Sequence, residues 1–267
     1  MKLSIITVNY NNRGGLQRTI DSVVSQTWRD FEWIIIDGGS TDGSKELIEQ
    51  YQNHFAYWCS EPDKGIYNAM NKGIDKAKGE YLNFMNSGDC FYEKDTLEKV
   101  LNHGLHADIV YGDFTKHGIP AYHYKENIML QLYEKSINHQ STFIKRYLLA
   151  NYRYDEKYKI VSDWKFWLQT IILDNVSIEY IDIIVSNNED WGASVSSENV
   201  PERFQVFDEL FPHRVIEALE LLHQYESSRP VQRAKRLVGM GGFAEKITRG
   251  VLKFLDRCFL RIDFTKE

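Results

Sequence analysis

The first hundred residues alternate between short apolar runs and longer stretches in which apolar residues recur every three or four positions. Short runs rich in β-branched and aromatic residues are typical of buried parallel strands, and the longer spacing is typical of amphipathic helices. The pattern predicts strands at 3–8, 31–36, 55–59, 81–85 and 109–111. With helices between them, these strands predict an α/β fold with a doubly wound, mostly parallel sheet.

After residue 112 the pattern is less regular. It predicts strand-like pieces at 122–124, 142–144 and 178–184, a helix at 163–173, and a polar, mobile stretch at 187–200. From residue 201 the apolar spacing is helical to the end. We therefore expect one domain at 1–200, with halves at 1–112 and 113–200, followed by a helical C-terminal extension at 201–267.

Composition narrows the class of protein. Apolar residues make up 43% and charged residues 26% of 267, which excludes a disordered, collagen-like or disulfide-scaffold chain. The net charge of −6 argues against a protein that binds nucleic acid over its whole surface. Three scattered cysteines favour a reducing compartment, and no run reaches the ~18 apolar residues of a membrane span. We expect a cytoplasmic protein that at most lies on the inner face of the cytoplasmic membrane.

Polar clusters follow each of the first four predicted strands. They are Thr7/Asn9/Tyr10, Asp37/Ser40/Asp42, Glu61/Asp63/Lys64 and Asn86/Asp89. Parallel strands end at one edge of a sheet, so these carboxylates should converge, and a divalent metal with a nucleotide would offset their charge. Each cluster taken alone is also an ordinary helix cap or turn. The glycine patterns of dinucleotide-binding folds and of P-loops are both missing from the sequence.

Five segments resemble, in order, the successive motifs of family 2 glycosyltransferases with the GT-A fold. They are 7–11 (TVNYN), 37–43 (DGGSTDG), 60–73 (SEPDKGIYNAMNKG), 77–81 (AKGEY) and 83–89 (NFMNSGD). The resemblance covers roughly the first 190 residues. It implies a GT-A-like fold in which 1–112 binds a nucleotide sugar and 113–200 binds the acceptor.

The resemblance also implies which residues bind the donor. Thr7, Asn9 and Asp37 match positions that hold the nucleotide base and ribose, Asp37 by a hydrogen bond to the base. Asp63 matches a further base-side or ribose-side position. Lys64 is expected to approach the diphosphate.

The metal motif of the family, Asp-X-Asp, appears here as residues 86–89 (NSGD), in which Asp89 matches the carboxylate that binds Mn²⁺ or Mg²⁺. Asn86 belongs to the same donor-binding segment. The commoner pattern has acidic residues near Asn86 and Gly88 as well, so Asp89 is the single charged ligand of this motif. Diphosphate oxygens and water would have to complete an octahedral shell, and we expect weak metal binding without nucleotide.

An inverting transfer needs a base that takes the proton of the acceptor hydroxyl. Residues 161–167 (VSDWKFW) resemble the family segment that carries it, with Asp163 in the base position and Ser162 where a second acid is common. Read without the resemblance, Asp163 is equally explained as the N-cap of a helix.

Two further residues are candidates with an open alternative. His139, within 137–143 (INHQSTF), is expected either to contact the diphosphate or metal or to make structural hydrogen bonds. Trp191 belongs either to a loop that closes over donor and acceptor or to a surface loop with one anchoring ring.

The C-terminal tail differs in charge from the rest of the chain. Residues 229–267 hold ten basic and four acidic residues, a net +6, which leaves −12 for the remainder. Arg249, Lys253, Arg257 and Arg261 recur every four residues, opposite an apolar face. Residues 244–262 therefore predict an interfacial amphipathic helix, or a helix that packs on the catalytic domain or on a second copy in a homo-oligomer.

The leading hypothesis is an inverting, metal-dependent hexosyl- or N-acetylhexosaminyltransferase. It would move a sugar from a nucleotide-diphosphate donor, most simply a UDP-sugar, to a saccharide or polyprenyl-linked saccharide in surface polysaccharide synthesis. One alternative is a sugar nucleotidylyltransferase, although residues 10–15 (YNNRGG) match its Gly-rich signature poorly. The other is a non-catalytic nucleotide-sugar-binding or scaffold module.

Overall fold

The computed structural model describes residues 2–116, 118–121, 128–188 and 199–229. The strands in these residues are β1 Leu3–Asn9, β2 Phe31–Asp37, β3 Tyr57–Ser60, β4 Tyr81–Phe84, β5 Cys90–Phe91, β6 Ile109–Lys116, β7 Ile119–Ala121, β8 Thr142–Lys145 and β9 Ile178–Asn188. The α-helices are α1 Arg13–Val24, α2 Ser44–Tyr51, α3 Ile66–Lys76, α4 Thr96–His103, α5 Ile128–Glu134, α6 Arg146–Asn151, α7 Ser162–Trp167, α8 Asn199–Leu210 and α9 His213–Ser227.

The first half of the sheet is parallel, in the order β3-β2-β1-β4. β1 and β2 are buried along almost their whole length, which explains their continuous apolar sequence. Helix α3 packs closely on these strands, because a Cβ atom at Gly73 would lie 2.5 Å from Cγ2 of Ile6. The predicted α/β class with a doubly wound sheet is confirmed.

Beyond β4 the sheet is mixed. β8 pairs antiparallel with both β4 and β6, β9 runs parallel to β6, and β5 pairs antiparallel with β9 at the far edge. β7 pairs antiparallel with the end of β6. Hydrophobic periodicity carries no information on strand direction, so the sequence pattern did not predict these antiparallel pairings.

The predicted helix at 163–173 is α7 followed by a π-helical segment at Leu168–Leu173. In that segment the backbone N–H of Asp174 donates to the Gln169 carbonyl at 3.0 Å, five residues back. A π-turn shifts the helical spacing by one residue, which a 3.6-residue periodicity does not distinguish over so short a stretch.

Some predictions concern residues outside the described ranges. These are the predicted strand at 122–124, most of the polar stretch at 187–200 and the predicted amphipathic helix at 244–262. Residues 187 and 188 end β9, and residues 199 and 200 begin α8.

The chain divides into two compact units, Met1–Leu210 and Phe211–Glu267. Helix α8 is the last element of the first unit, and α9 lies in the second. The domain boundary that we place after residue 200 stays a prediction. Within the described ranges, no helix has both the length and the apolar character needed to cross a membrane.

The strand order locates the ligand crevice. β1 has β2 on one side and β4 on the other, because the chain runs outward from β1 through β2 to β3 and then crosses back past β1 to β4. In open α/β sheets, ligands bind outside the carboxyl ends of the strands at such a switch point. The residues that end β1 and β2 and those that follow β4 are therefore the ones to consider first.

Candidate active site

Asn9 and Asp37 end β1 and β2 and are paired in the sheet register. Asn9 Nδ2 donates to Asp37 Oδ1 at 2.7 Å. The hydroxyls of Ser40 and Ser60 each donate to the same carboxylate at 2.6 Å. Burial by itself would raise the pKa of Asp37, but these hydrogen bonds outweigh it and hold the pKa below its ordinary value. The crevice therefore contains a fully buried, charged carboxylate.

Asp63 and Lys64 come from the loop after β3. A Cβ atom at Gly38 would lie 2.5 Å from Asp63 Oδ2, so this glycine lets the Asp63 carboxylate approach the residue next to Asp37. Asp63 is half-buried, and its Oδ1 accepts from the backbone N–H of Gly65 at 2.8 Å. Lys64 is exposed. The structure thus places the Asp63 carboxylate against Gly38, the residue next to Asp37, and leaves Lys64 exposed.

Thr7 lies within the sheet. Its hydroxyl donates to the Met85 carbonyl at 2.7 Å and accepts from Trp33 Nε1 at 3.0 Å, and the residue is fully buried. This side chain joins β1 to both neighbouring strands beneath the crevice. Its predicted contact with the nucleotide stays a prediction.

The turn at 86–89 follows β4 and is held by a threonine of α1. Thr19 Oγ1 lies 3.1 Å from the Asn86 carbonyl and 2.8 Å from the Asp89 carbonyl, and it accepts from Gly88 N at 3.0 Å. Sequence reasoning missed Thr19, because in the sequence it is only a small polar residue within a helix. Its hydroxyl fixes the backbone from which Asn86 and Asp89 project.

Asp89 is 7% exposed, and Gln140 Nε2 donates to its Oδ2 at 2.7 Å. Burial raises the pKa of Asp89 to about 6, although the hydrogen bond from Gln140 opposes the shift. Burial makes the charged form of this carboxylate unfavourable, and a bound cation would stabilise that form. Gln140 was not among the predicted residues, although its neighbour His139 was.

Few protein groups in this site could serve as ligands of a metal ion. In the described part of the chain, no group of three or more His, Cys, Asp or Glu side chains is arranged to hold a metal ion. Asp89 offers one carboxylate, and Asn86 Oδ1 is a buried oxygen for which the described residues provide no hydrogen-bond partner. Both are hard oxygen ligands of the kind that Mg²⁺ and Mn²⁺ accept. These residues fit an ion that takes its remaining ligands from a diphosphate and water.

His139 and Gln140 lie in a 3-10 turn, His139–Ser141, which Asn138 caps by accepting from Ser141 N at 3.0 Å. The two ring nitrogens of His139 contact different motifs. Nε2 lies 3.0 Å from Asn86 Nδ2, and Nδ1 lies 3.1 Å from Asp163 Oδ2. His139 therefore joins the predicted metal motif to the predicted base.

Asp163 is 9% exposed and lies in the first turn of α7. The residue before that helix is Val161, whose side chain makes no capping hydrogen bond, so Asp163 is not the N-cap. Its Oδ1 accepts from Trp164 N at 2.8 Å and from the Tyr67 hydroxyl at 2.9 Å. Tyr67 is a further residue that sequence reasoning did not single out. Trp191 lies outside the described residues.

A separate cleft of about 600 Å³ lies beside α3. It includes none of the predicted site residues. Arg153 pairs with Asp75 there at 2.6 Å, and Lys165 pairs with Asp155 at 2.8 Å. The charges of these four residues are thus offset locally.

The sequence and the fold of this chain are similar to those of known proteins. A sequence model described as "Glycosyl transferase family 2" matches residues 4–160. This chain belongs to glycosyltransferase family 2.

A PGL/p-HBAD biosynthesis glycosyltransferase of Mycobacterium bovis (strain BCG / Pasteur 1173P2) is 30% identical over 197 residues, 71% of this chain and 77% of that protein. TuaG of Bacillus subtilis (strain 168), which is named "Putative teichuronic acid biosynthesis glycosyltransferase TuaG", is 38% identical over 104 residues, 37% of this chain and 40% of TuaG.

The fold of this family 2 glycosyltransferase is similar to that of S. aureus TarS. The crystal structure of TarS 1-349 in complex with UDP-GlcNAc matches with a TM-score of 0.67 and 21% sequence identity, over 93% of this chain and 78% of that fragment. Against the longer TarS chain, the glycosyltransferase spans 44% of the length. The predicted family and the GT-A-like fold are confirmed.

Proposed function

We propose that this glycosyltransferase is inverting and metal-dependent, and that it moves a sugar from a nucleotide-diphosphate donor, a UDP-sugar, to a hydroxyl of a saccharide or polyprenyl-linked saccharide. The observation that carries the proposal is the contact of His139 with both Asn86 and Asp163. In a direct displacement, the leaving group and the base lie on opposite sides of the reacting carbon. His139 contacts one residue proposed for each side, Asn86 on the leaving-group side and Asp163 as the base.

The donor end of the crevice supports nucleotide binding. Asp37 is charged and fully buried, with Asn9 and Asp63 beside it. Carboxylate oxygens accept hydrogen bonds, and an amide group both donates and accepts them. These side chains can therefore hydrogen-bond to a nucleotide base and to ribose hydroxyls. Lys64 is exposed and free to move towards the diphosphate. The TarS fragment of the same fold binds UDP-GlcNAc, which favours a UDP-sugar.

The Asp89 carboxylate and the side-chain Oδ1 of Asn86 would hold Mn²⁺ or Mg²⁺. When bound, such an ion neutralises the charge that develops on the departing diphosphate. The Asn86 oxygen is buried and unpartnered in the structure, and Asp89 carries a costly buried charge at neutral pH. These two oxygens support a site that the ion would share with the diphosphate.

The base end supports direct displacement. Asp163 takes the proton from the acceptor hydroxyl, and the acceptor oxygen forms a bond to the anomeric carbon. The bond from that carbon to the diphosphate oxygen breaks, and its electron pair leaves with the nucleoside diphosphate. A single displacement inverts the anomeric configuration. Asp163 is 9% exposed, so bulk water competes weakly with the acceptor for this carboxylate.

The acceptor class rests on the relatives. One is named for PGL/p-HBAD biosynthesis and another for teichuronic acid biosynthesis. We therefore place the reaction in the synthesis of cell-envelope glycans at the inner face of the cytoplasmic membrane. The +6 charge of residues 229–267 supports contact with an anionic lipid surface. Packing on a second copy of the chain is the alternative for this segment.

Release of nucleoside diphosphate tests the proposal. The full chain is incubated with a panel of UDP-, GDP- and TDP-sugars in the presence of Mn²⁺, with and without EDTA. We expect slow UDP release from one UDP-sugar, with water as acceptor, and its loss with EDTA. Asp163→Asn should keep nucleotide binding and lose about 10²–10⁴-fold in rate. Binding without turnover for every sugar would overturn the proposal in favour of a scaffold module.

A further inference from the structure

We propose that Tyr67 and His139 are positioning residues that orient the Asp163 carboxylate so that Oδ2 is the oxygen that takes the acceptor proton. The inference rests on the proposed function and assigns the reacting atom within it. It follows from counting the hydrogen bonds that each carboxylate oxygen already accepts.

Oδ1 of Asp163 is fully used by the protein. It accepts from Trp164 N at 2.8 Å and from the Tyr67 hydroxyl at 2.9 Å. A carboxylate oxygen has two lone pairs, so Oδ1 has no direction left from which to accept a third donor. The acceptor hydroxyl therefore cannot use this atom.

Oδ2 of Asp163 has one direction open. It accepts from His139 Nδ1 at 3.1 Å, which occupies one of its two lone pairs. Among the described residues, no second donor to Oδ2 is found, and the Asp163 side chain is 13% exposed. The remaining lone pair is the one that an acceptor hydroxyl can reach, and the proton moves along that direction as the new bond to the anomeric carbon forms.

His139 is oriented by its second contact. Asn86 Nδ2 is a donor only, so the Nε2 atom 3.0 Å away must accept from it. The ring proton is then on Nδ1, where it donates to Asp163. With the amide in this orientation, Asn86 Oδ1 has no hydrogen-bond partner among the described residues and is available to the proposed metal ion or nucleotide sugar. The Asn86 side chain thus sets the tautomer of His139 with its Nδ2 and offers its Oδ1 to the proposed metal ion or nucleotide sugar.

Tyr67 is held rigidly in α3. Its ring packs against Tyr154 with centroids 5.4 Å apart, and Tyr154 in turn packs against Phe84 and Phe166. The Tyr67 hydroxyl lies 2.6 Å from the Ile160 carbonyl as well as near Asp163, so one proton is shared by two acceptors. The charged carboxylate is the stronger acceptor. Burial and the nearby Asp163 charge raise the pKa of Tyr67 well above its ordinary value, so the hydroxyl remains a donor.

Tyr67→Phe tests the inference, with Tyr154→Phe as the matched control. Both changes remove one buried hydroxyl from the same aromatic cluster, but the Tyr154 hydroxyl has no hydrogen-bond partner among the described residues. UDP release is measured with the UDP-sugar that the wild-type chain turns over, with Mn²⁺. We expect Tyr67→Phe to lower kcat about 10- to 100-fold, as for loss of a hydrogen bond to a charged group, with the donor KM within about twofold. Tyr154→Phe should keep the wild-type kcat.

The split between kcat and KM gives a readout that separates positioning from a structural role. A site that is displaced as a whole would raise the donor KM as well as lower kcat, whereas loss of the Tyr67 hydrogen bond alone lowers kcat and leaves the donor KM in place. Equal kcat values for the two variants, or a donor KM that rises in step with the loss of kcat, would overturn the role of Tyr67.

His139 is tested by a pair of variants that differ in one donor. Asn at this position can place its Nδ2 where the ring Nδ1 lies, whereas Ala cannot. We expect His139→Ala to lose about 10- to 100-fold in kcat and His139→Asn to recover most of it. Equal losses in both variants would overturn the role of His139, and this pair decides the inference if Tyr67→Phe does not fold. Failure of the proposed function is a different result, because the wild-type chain would then release no nucleotide.

Discussion

Gln140 donates a 2.7 Å hydrogen bond from its Nε2 atom to Oδ2 of Asp89. The preceding residue, His139, contacts Asp163 from the same 3-10 turn. Two carboxylates from distant parts of the chain are therefore held by consecutive residues. The separation between the predicted metal side and the predicted base is set by one short piece of backbone, and changes to this turn should affect both.

The buried charge of Asp89 makes stability depend on pH. Its pKa lies at about 6 in the folded chain against 3.8 as the ordinary value, so the folded state binds the proton more tightly. Stability should then fall as the pH rises through this window, and the cost is complete above it. Asp89→Asn removes that cost. The shift corresponds to about 3 kcal/mol, so we expect its Tm without metal to exceed the wild-type Tm by about 6–12 °C at about pH 7.5, and the two to agree at about pH 3. A lower Tm at the higher pH contradicts the burial argument.

A second carboxylate in the turn should change metal binding. Asn86→Asp adds a charged ligand beside Asp89, and we expect Mn²⁺ to bind the nucleotide-free chain at least about tenfold more tightly, because affinity for hard cations rises with ligand charge. Isothermal titration calorimetry measures this directly. Asn11→Asp is the control, since it adds the same charge to an exposed residue whose side-chain oxygen keeps its bond to Thr41 N at 2.9 Å. Equal affinity in the two variants would argue against a metal ligand at residue 86.

The Thr19 hydroxyl supports the turn at 86–89 from α1. Thr19→Val keeps the shape of the side chain but leaves Gly88 N and two carbonyls without this partner. We expect a loss of about 1–3 kcal/mol in the free energy of unfolding, measured by urea denaturation, together with weaker nucleotide binding. Thr170→Val is the comparison, because its hydroxyl bonds the Phe166 carbonyl one turn back in the same helical segment. The turn is not held by Thr19 if both variants lose the same stability.

The charge of the C-terminal segment can be tested in the full chain. Replacing Arg249, Lys253, Arg257 and Arg261 by Glu reverses four charges at helical spacing. Each basic residue near an anionic surface contributes about 1 kcal/mol, so the wild-type chain should float with vesicles that contain phosphatidylglycerol and the variant should not. Neutral vesicles are the control. Flotation that is equal in both chains, or lacking in the wild type, would favour packing on protein instead.

The local pattern predicted the first half of the fold well. β1 and β2 are almost fully buried, so their sequences are continuously apolar and their positions could be predicted within a residue. The second half was predicted less well. β8 is four residues long and antiparallel to both neighbours, and the direction of a strand leaves no trace in its hydrophobic spacing.

The sequence by itself determined the fold class, the family and the order of the polar motifs, and it indicated Asp37, Asp89 and Asp163 as candidates. These depend on residue type and on spacing along the chain. Only the tertiary structure decided that Thr19 supports the turn at 86–89, that Gln140 holds Asp89 and that Tyr67 holds Asp163. These contacts join residues 51 to 96 positions apart. A hydrogen bond requires its two atoms to lie within about 3 Å, and only the folded backbone brings such distant residues that close.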